Sequence, residues 1–163
     1  MTILPLLSAT IVIPAFNEEG NIEDVVIEAN EVLSEISEKI EIIVVNDGST
    51  DGSSKVLEDL TQSVPLLRVI THTKNRGYGG ALKSGFGAAT GDLVFYTDGD
   101  GQYDPSELEL LLDALTDEVD VVNGYKTTRS DSITRKILGA AYNYVATTML
   151  RIPMRDLDCD FRL

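Results

Sequence analysis

The chain has 163 residues, 43% of them hydrophobic and 25% charged, with a formal net charge of −14. That composition excludes wholesale disorder and argues against a generic nucleic-acid binder, and the length suits one domain that buries roughly two-thirds of its unfolded surface. The single cysteine, Cys159, excludes an internal disulfide framework and a multi-cysteine metal site, and no apolar run reaches the roughly 18 residues of a membrane span.

The charge is uneven. Residues 1–123 hold 6 Lys and Arg against 23 Asp and Glu, whereas residues 124–163 hold 7 against 4. An acidic body followed by a basic final quarter points to an anionic partner for the last segment. The plain alternative is an acidic, solvated face.

In chain order, Ala9–Pro14 reads as a buried strand stopped by proline. Ile22, Val25, Val26, Ala29, Leu33 and Ile36 then recur at helical spacing, with Asn21 as the expected N-cap and Asp24 three residues on. Glu41–Val45 is a second strand. A short helix is expected over Ser53–Leu60, where Asp47 or Asp51 would cap its start. Leu67–Ile70 is a third strand, Gly79–Ala89 a small-residue helix and Asp92–Thr97 a fourth strand. Asp104-Pro105-Ser106-Glu107 signals a helix running to about Leu115. Val119–Gly124 is a fifth strand, and Ile133–Leu150 a last helix with an apolar stripe and basic ends. That helix suits either a membrane interface or a core-packing face. Strand–helix alternation at this spacing predicts an α/β fold, a mostly parallel sheet with helices on both faces. Such sheets bind ligands at the carboxyl ends of their strands.

Carboxylates, amides and glycine fill those ends. Asp98-x-Asp100-x-Gln102 follows the fourth strand, and alternate residues of an extended segment point the same way. Their oxygens suit a hard cation, Mg²⁺ or Mn²⁺, with substrate phosphates completing the shell. A surface Asp-Gly turn is the alternative. Asp47 follows a buried strand and is placed to accept hydrogen bonds from a base or ribose. Gly77–Ser84 nearly spells a P-loop but has Leu82 where glycine is required before the lysine. The stretch reads instead as a loop and helix start whose backbone, at Gly80, lies close to a nucleotide, or as close helix–sheet packing through Gly85 and Gly87. His72, the only histidine, reads as structural or surface.

These residues resemble family 2 glycosyltransferases, and within them the dolichol-phosphate mannosyltransferase and polyprenyl-phosphate glycosyltransferase group. The motifs are Val12–Glu18, Val44–Gly52, Asn75–Ala81 and Asp98–Gln102, and the resemblance runs from about Thr10 to Leu163. It implies a GT-A fold, a nucleotide-sugar donor, a divalent cation and inversion at the anomeric carbon. Pro14, Ala15, Phe16 and Glu18 would line the nucleotide pocket and Asp47 would contact the base or ribose. Asp98 would lie at the ribose or metal position, with Asp100 and Gln102 on the metal. A later motif matches Asp156–Arg162, with Asp160 in place of a glycine, and makes Asp156 a candidate catalytic residue beside Asp100. The chain is expected to be one such domain, 1–163, continuing beyond its last residue in the natural protein.

A polyprenyl phosphate acceptor needs cations, and Arg129 and Arg135 in the basic quarter are the expected contacts because arginine grips two oxygens at once. That acceptor places the reaction on the cytoplasmic side of a membrane, which the basic, amphipathic C-terminal segment would touch. Three other readings stay open: a saccharide or other hydroxyl acceptor, a sugar-phosphate nucleotidyltransferase, and a nucleotide-sugar binding module without turnover. The second would carry a Gly-rich, basic loop after the first strand, and Pro14–Glu19 is neither.

Overall fold

A computed structural model of the chain describes residues 8–101, 107–116, 118–124, 148–149 and 162–163. Four parallel strands form one sheet: β1 (Ala9–Ala15), β2 (Ile40–Asn46), β3 (Leu67–Thr71) and β4 (Leu93–Tyr96), in the order β3-β2-β1-β4. Between them run α1 (Ile22–Ile36), α2 (Ser53–Ser63) and α3 (Tyr78–Ala88), and α4 (Leu108–Ala114) follows β4. The elements fall within a few residues of those read from the sequence. The predicted helix start at Asp104-Pro105-Ser106 and the helix Ile133–Leu150 lie outside the described residues, apart from the helical pair 148–149.

All of β1 is buried, as a strand covered on both faces requires. Side chains alternate across the sheet. Ile11 and Ile13 join Ile42, Val44 and Phe95 in a cluster that receives the α1 stripe, Leu57 and Leu60 of α2, and Leu108 and Leu111 of α4. Val12, Ile43, Val45 and Tyr96 face the other way and pack on Ala81 of α3. Helices therefore cover both faces, as expected. The crossover through α3 carries the chain from β3, at one edge, past β2 and β1 to β4. The strand order thus reverses between β1 and β4, which is where ligands bind in open α/β sheets.

Gly85 allows α3 to lie this close, because a Cβ there would run into Val12 Cγ1. Gly87 has open space instead, so only one of the two expected packing glycines serves that purpose. Asn21 does stand at the N-cap of α1, but its side chain makes no capping bond; its Nδ2 donates to Glu18 Oε2 at 2.9 Å. Neither candidate is the N-cap of α2, which is Gly52 and has no side-chain capping bond; Asp51, one residue earlier, accepts at Oδ1 from Ser53 N at 3.0 Å and Ser53 Oγ at 2.6 Å.

The fifth strand is a correction. Residues 119–124 form no strand, and Val119 and Val121 are exposed. Arg162 pairs antiparallel with Tyr96 through two backbone bonds of 2.9 and 3.3 Å, and Leu163 pairs with Val122 at 2.8 and 3.0 Å. Arg162, from the far end of the chain, lies at the edge of β4.

Two substitutions test the α3 contact by urea denaturation. Gly85→Ala should cost about 1–3 kcal/mol, since Val12 is buried and β-branched and yields little. Gly87→Ala should stabilise by about 0.5 kcal/mol, because it removes a helical glycine without a clash.

Candidate functional site

The carboxyl ends of the strands surround a cleft of about 310 Å³. Pro14, Ala15, Phe16 and Glu18 come from the end of β1 and Asp47 from the end of β2. Asn75, Tyr78 and Ala81 come from the passage into α3, and Asp98, Gly99 and Asp100 from the turn after β4. Seven of the residues expected from the sequence are thus brought together: Pro14, Ala15, Phe16, Glu18, Asp47, Asp98 and Asp100. Gly80 is not among the lining residues; it packs on Arg76, where a Cβ would come within 2.8 Å of the Arg76 Cβ. Tyr78 and Ala81, on the same helix, line the cleft in its place. Gln102, Arg129, Arg135 and Asp156 lie outside the described residues.

The β1–α1 loop is tied to the β2–α2 loop by polar bonds. Asn17 N donates to Ser49 Oγ at 3.0 Å, and Thr50 N donates to Asn17 Oδ1 at 2.8 Å. Glu18 N donates to Ser53 Oγ at 2.9 Å and Glu19 N to Asp51 Oδ2 at 3.2 Å. Asn17 holds φ at 60°, a left-handed conformation that asparagine tolerates better than most residues. These bonds hold the loop that carries Phe16 and Glu18 at the cleft. Gly48, at φ 72°, lets the second loop meet the passage into α3: a Cβ there would lie 2.6 Å from the Lys74 carbonyl carbon.

Asp47 is buried, with a side chain only 4% exposed. Arg76 N donates to its two oxygens at 2.9 and 3.1 Å, and His72 Nδ1 lies 2.6 Å from Oδ1. Burial alone would raise its pKa. The bond from His72 and the backbone N–H groups of Arg76 and Gly77 outweigh that and hold it below the usual carboxylate value of 3.8. His72 is therefore a buried partner of Asp47 rather than a surface residue, and its Nε2 lies 2.9 Å from Ser84 Oγ. A lone histidine carries no local signature for such a contact, because Asp47 and Ser84 are 25 and 12 residues away.

Asp98 and Asp100 flank Gly99, which is buried. A Cβ on Gly99 would lie 3.0 Å from the Pro14 carbonyl oxygen, so the turn lies directly against the end of β1. Two hard carboxylates with the cleft in front of them match a site completed by phosphate oxygens and water. Among the described residues no group of three or more His, Cys, Asp or Glu side chains is placed to hold a metal by itself. Among them, too, no helix is long and apolar enough to cross a membrane.

A parallel sheet of reversed order, with carboxylates and a glycine-tight turn at its switch point, defines an open α/β domain with a ligand cleft at the strand ends. Residues 10–159 match the family model "Glycosyl transferase family 2", and the chain belongs to that family. The fold is GT-A. The chain is 32% identical over 155 residues to the undecaprenyl-phosphate 4-deoxy-4-formamido-L-arabinose transferase of Aeromonas hydrophila, covering 94% of this chain and 47% of that one. It is 33% identical to the Proteus mirabilis protein of the same name, with the same coverage. The chain thus spans about half the length of the curated relatives it matches. Among solved structures it is similar to the mannosyltransferase PcManGT of Pyrobaculum calidifontis in complex with GDP-Man and Mn²⁺, with a TM-score of 0.65 and 29% identity over 74% of this chain and 36% of that one. It shares its fold with the glucosyl-3-phosphoglycerate synthase of Mycobacterium tuberculosis, with a TM-score of 0.72 and 22% identity over 96% of this chain and 56% of that one.

Two measurements check the site. Asn17→Ala should destabilise by about 1–2 kcal/mol in urea, through the lost Thr50 bond and a left-handed alanine. Asn17→Gly loses the same bond but not the conformation, and should cost roughly half as much. Asp47 has a folded-state pKa below its unfolded value, so its contribution is present above the unfolded value and is lost as pH falls through the folded one. The urea midpoint should drop on going from about pH 5 to about pH 3, and Asp47→Asn should reduce that drop.

Proposed function

We propose that the protein is a metal-dependent, inverting glycosyltransferase that moves a hexose from a nucleoside-diphosphate sugar to a polyprenyl phosphate. The observation that carries this reading is the pair Asp98 and Asp100, set in the same cleft as Asp47, Phe16 and Tyr78. The names of the relatives support a polyprenyl phosphate acceptor. The printed ligands of the Pyrobaculum enzyme support a nucleotide sugar with a divalent cation.

In this reading Pro14, Ala15, Phe16, Glu18 and Asp47 take the nucleoside, while Asp98 and Asp100, with Gln102, hold Mg²⁺ or Mn²⁺ together with the donor phosphates. The bound ion would stabilise the charge of the departing diphosphate as a Lewis acid. A phosphate oxygen of the acceptor forms the new bond to the anomeric carbon. The bond from that carbon to the donor's β-phosphate oxygen breaks, and its electron pair leaves with the diphosphate. Attack from the face opposite the leaving group inverts the centre. With a second pKa of about 6, a lipid monophosphate is mostly a dianion at neutral pH and attacks without a strong base. Asp156 then orients the acceptor, and Arg129 and Arg135 grip its phosphate. The lipid places the reaction on the cytoplasmic side of a membrane, with the segment Ile133–Leu150 as the contact. The loop after β1 contains no basic residue and one glycine, which argues against a nucleotidyltransferase.

Thermal shift and calorimetry with GDP- and UDP-sugars, with and without Mn²⁺, test the donor site. One nucleotide class should bind in a metal-dependent way, and Asp100→Ala should weaken that binding by about tenfold or more. Binding that ignores both metal and Asp100→Ala would overturn the metal site. Label transfer from the selected donor to polyprenyl phosphate in detergent tests the acceptor. Transfer only to soluble saccharides would reject the lipid, and donor binding without transfer to either would favour a binding module.

A further inference from the structure

Asp47, His72 and Ser84 form a hydrogen-bonded chain behind the cleft, and the side chains of Asp47 and His72 are each 4% exposed. His72 N donates to the Asn46 carbonyl at 2.9 Å, and Asp47 N to the Ala15 carbonyl at 2.9 Å, so the sheet places both side chains. An ionised carboxylate only accepts, so the proton between His72 and Asp47 belongs to Nδ1. In the neutral ring Nε2 then accepts a hydrogen bond from the Ser84 hydroxyl, which keeps the ring from turning over. Oδ1 of Asp47 accepts from both His72 and Arg76 N, whereas Oδ2 accepts from Arg76 N at 3.1 Å, and the Gly77 N–H is a further backbone donor to the carboxylate. Oδ2 is the oxygen that His72 does not occupy, on a residue that lines the cleft.

An Asp–His–Ser chain has the connectivity of a hydrolytic triad, but this one runs the other way. In a triad the serine meets the substrate. Here the carboxylate lines the cleft and Ser84 does not. We propose that His72 is a positioning residue: it holds the Asp47 carboxylate in one orientation so that Oδ2 accepts an N–H or O–H donor of the bound nucleoside, with Ser84 fixing the imidazole. This rests on the nucleotide reading above. The lowered pKa of Asp47, held down against burial by His72 and the backbone of Arg76, agrees with a carboxylate kept as an acceptor.

Calorimetry with UDP and GDP in the presence of Mn²⁺, on the whole chain, tests it. An asparagine amide can stand near the position of Nδ1 and a glutamine amide near that of Nε2. His72→Asn should therefore keep nucleotide binding within about threefold of the parent, whereas His72→Gln should weaken it by about tenfold or more. Ser84→Ala should weaken it by about two- to threefold. Thermal midpoints recorded alongside separate positioning from folding. If the parent and His72→Gln bind the nucleotide equally, or if both His72 variants weaken equally and in step with their midpoints, the proposal fails while the nucleotide reading stands. If the parent binds neither UDP nor GDP, the nucleotide reading fails and takes the proposal with it. Should His72→Gln not fold, ¹⁵N spectra of the parent decide: a proton on Nδ1, with Nε2 bare, supports the proposal, and a proton on Nε2 alone overturns it.

Discussion

The structure depends on β1 being buried on both faces. Ile11, Val12 and Ile13 have no exposed surface, and each such side chain contributes roughly 1.5–3 kcal/mol when removed from water. Satisfying both faces requires α1 and α2 on one side and α3 on the other. The side chain of Val12 leaves room for α3 only where Gly85 has no Cβ. That contact carries the third crossover across the sheet and brings β4 to the free side of β1. The cleft is a consequence, since it lies where the strand order turns.

Apolar packing ends at the strand tips, and the loops beyond it are held by hydrogen bonds. Asn17, Ser49, Asp51 and Ser53 satisfy backbone N–H groups across two loops. The cleft's carboxylates then divide by environment. Asp47 is turned toward internal donors, and its charge is compensated by His72 and Arg76 N. Asp98 and Asp100 follow β4, separated by a glycine that lies against the Pro14 carbonyl. One carboxylate is built into the scaffold while two stand together at the cleft, which suits a cation shared with phosphate oxygens.

Much of this was legible in the residues. β-Branched runs and a helical apolar stripe locate the strands and α1 because their periods differ, and burial enforces both. The cleft residues at the ends of β1, β2 and β4 were found because a parallel sheet delivers ligands there and carboxylates have no structural reason to gather. Gly80 packs on Arg76 while Tyr78 and Ala81 line the cleft, and small residues at a helix start give no sign of which face turns inward. The strand expected at Val119–Gly124 failed because a β-rich run does not say which segment will take the open edge of β4. Arg162 does so, 66 residues from Tyr96, while Leu163 pairs with Val122, 41 residues away.

By itself, then, the sequence determined the alternation of elements, the two-sided burial of the central strands, the motif set of the family and the acidic ends of the strands. These are local properties, written in period and residue type. Tertiary structure alone decided the strand order, the edge partner of β4, Gly85 rather than Gly87 as the contact for α3, and the joining of Asp47 to His72 and Ser84. Each of those depends on groups far apart in the chain, brought together by one packed sheet.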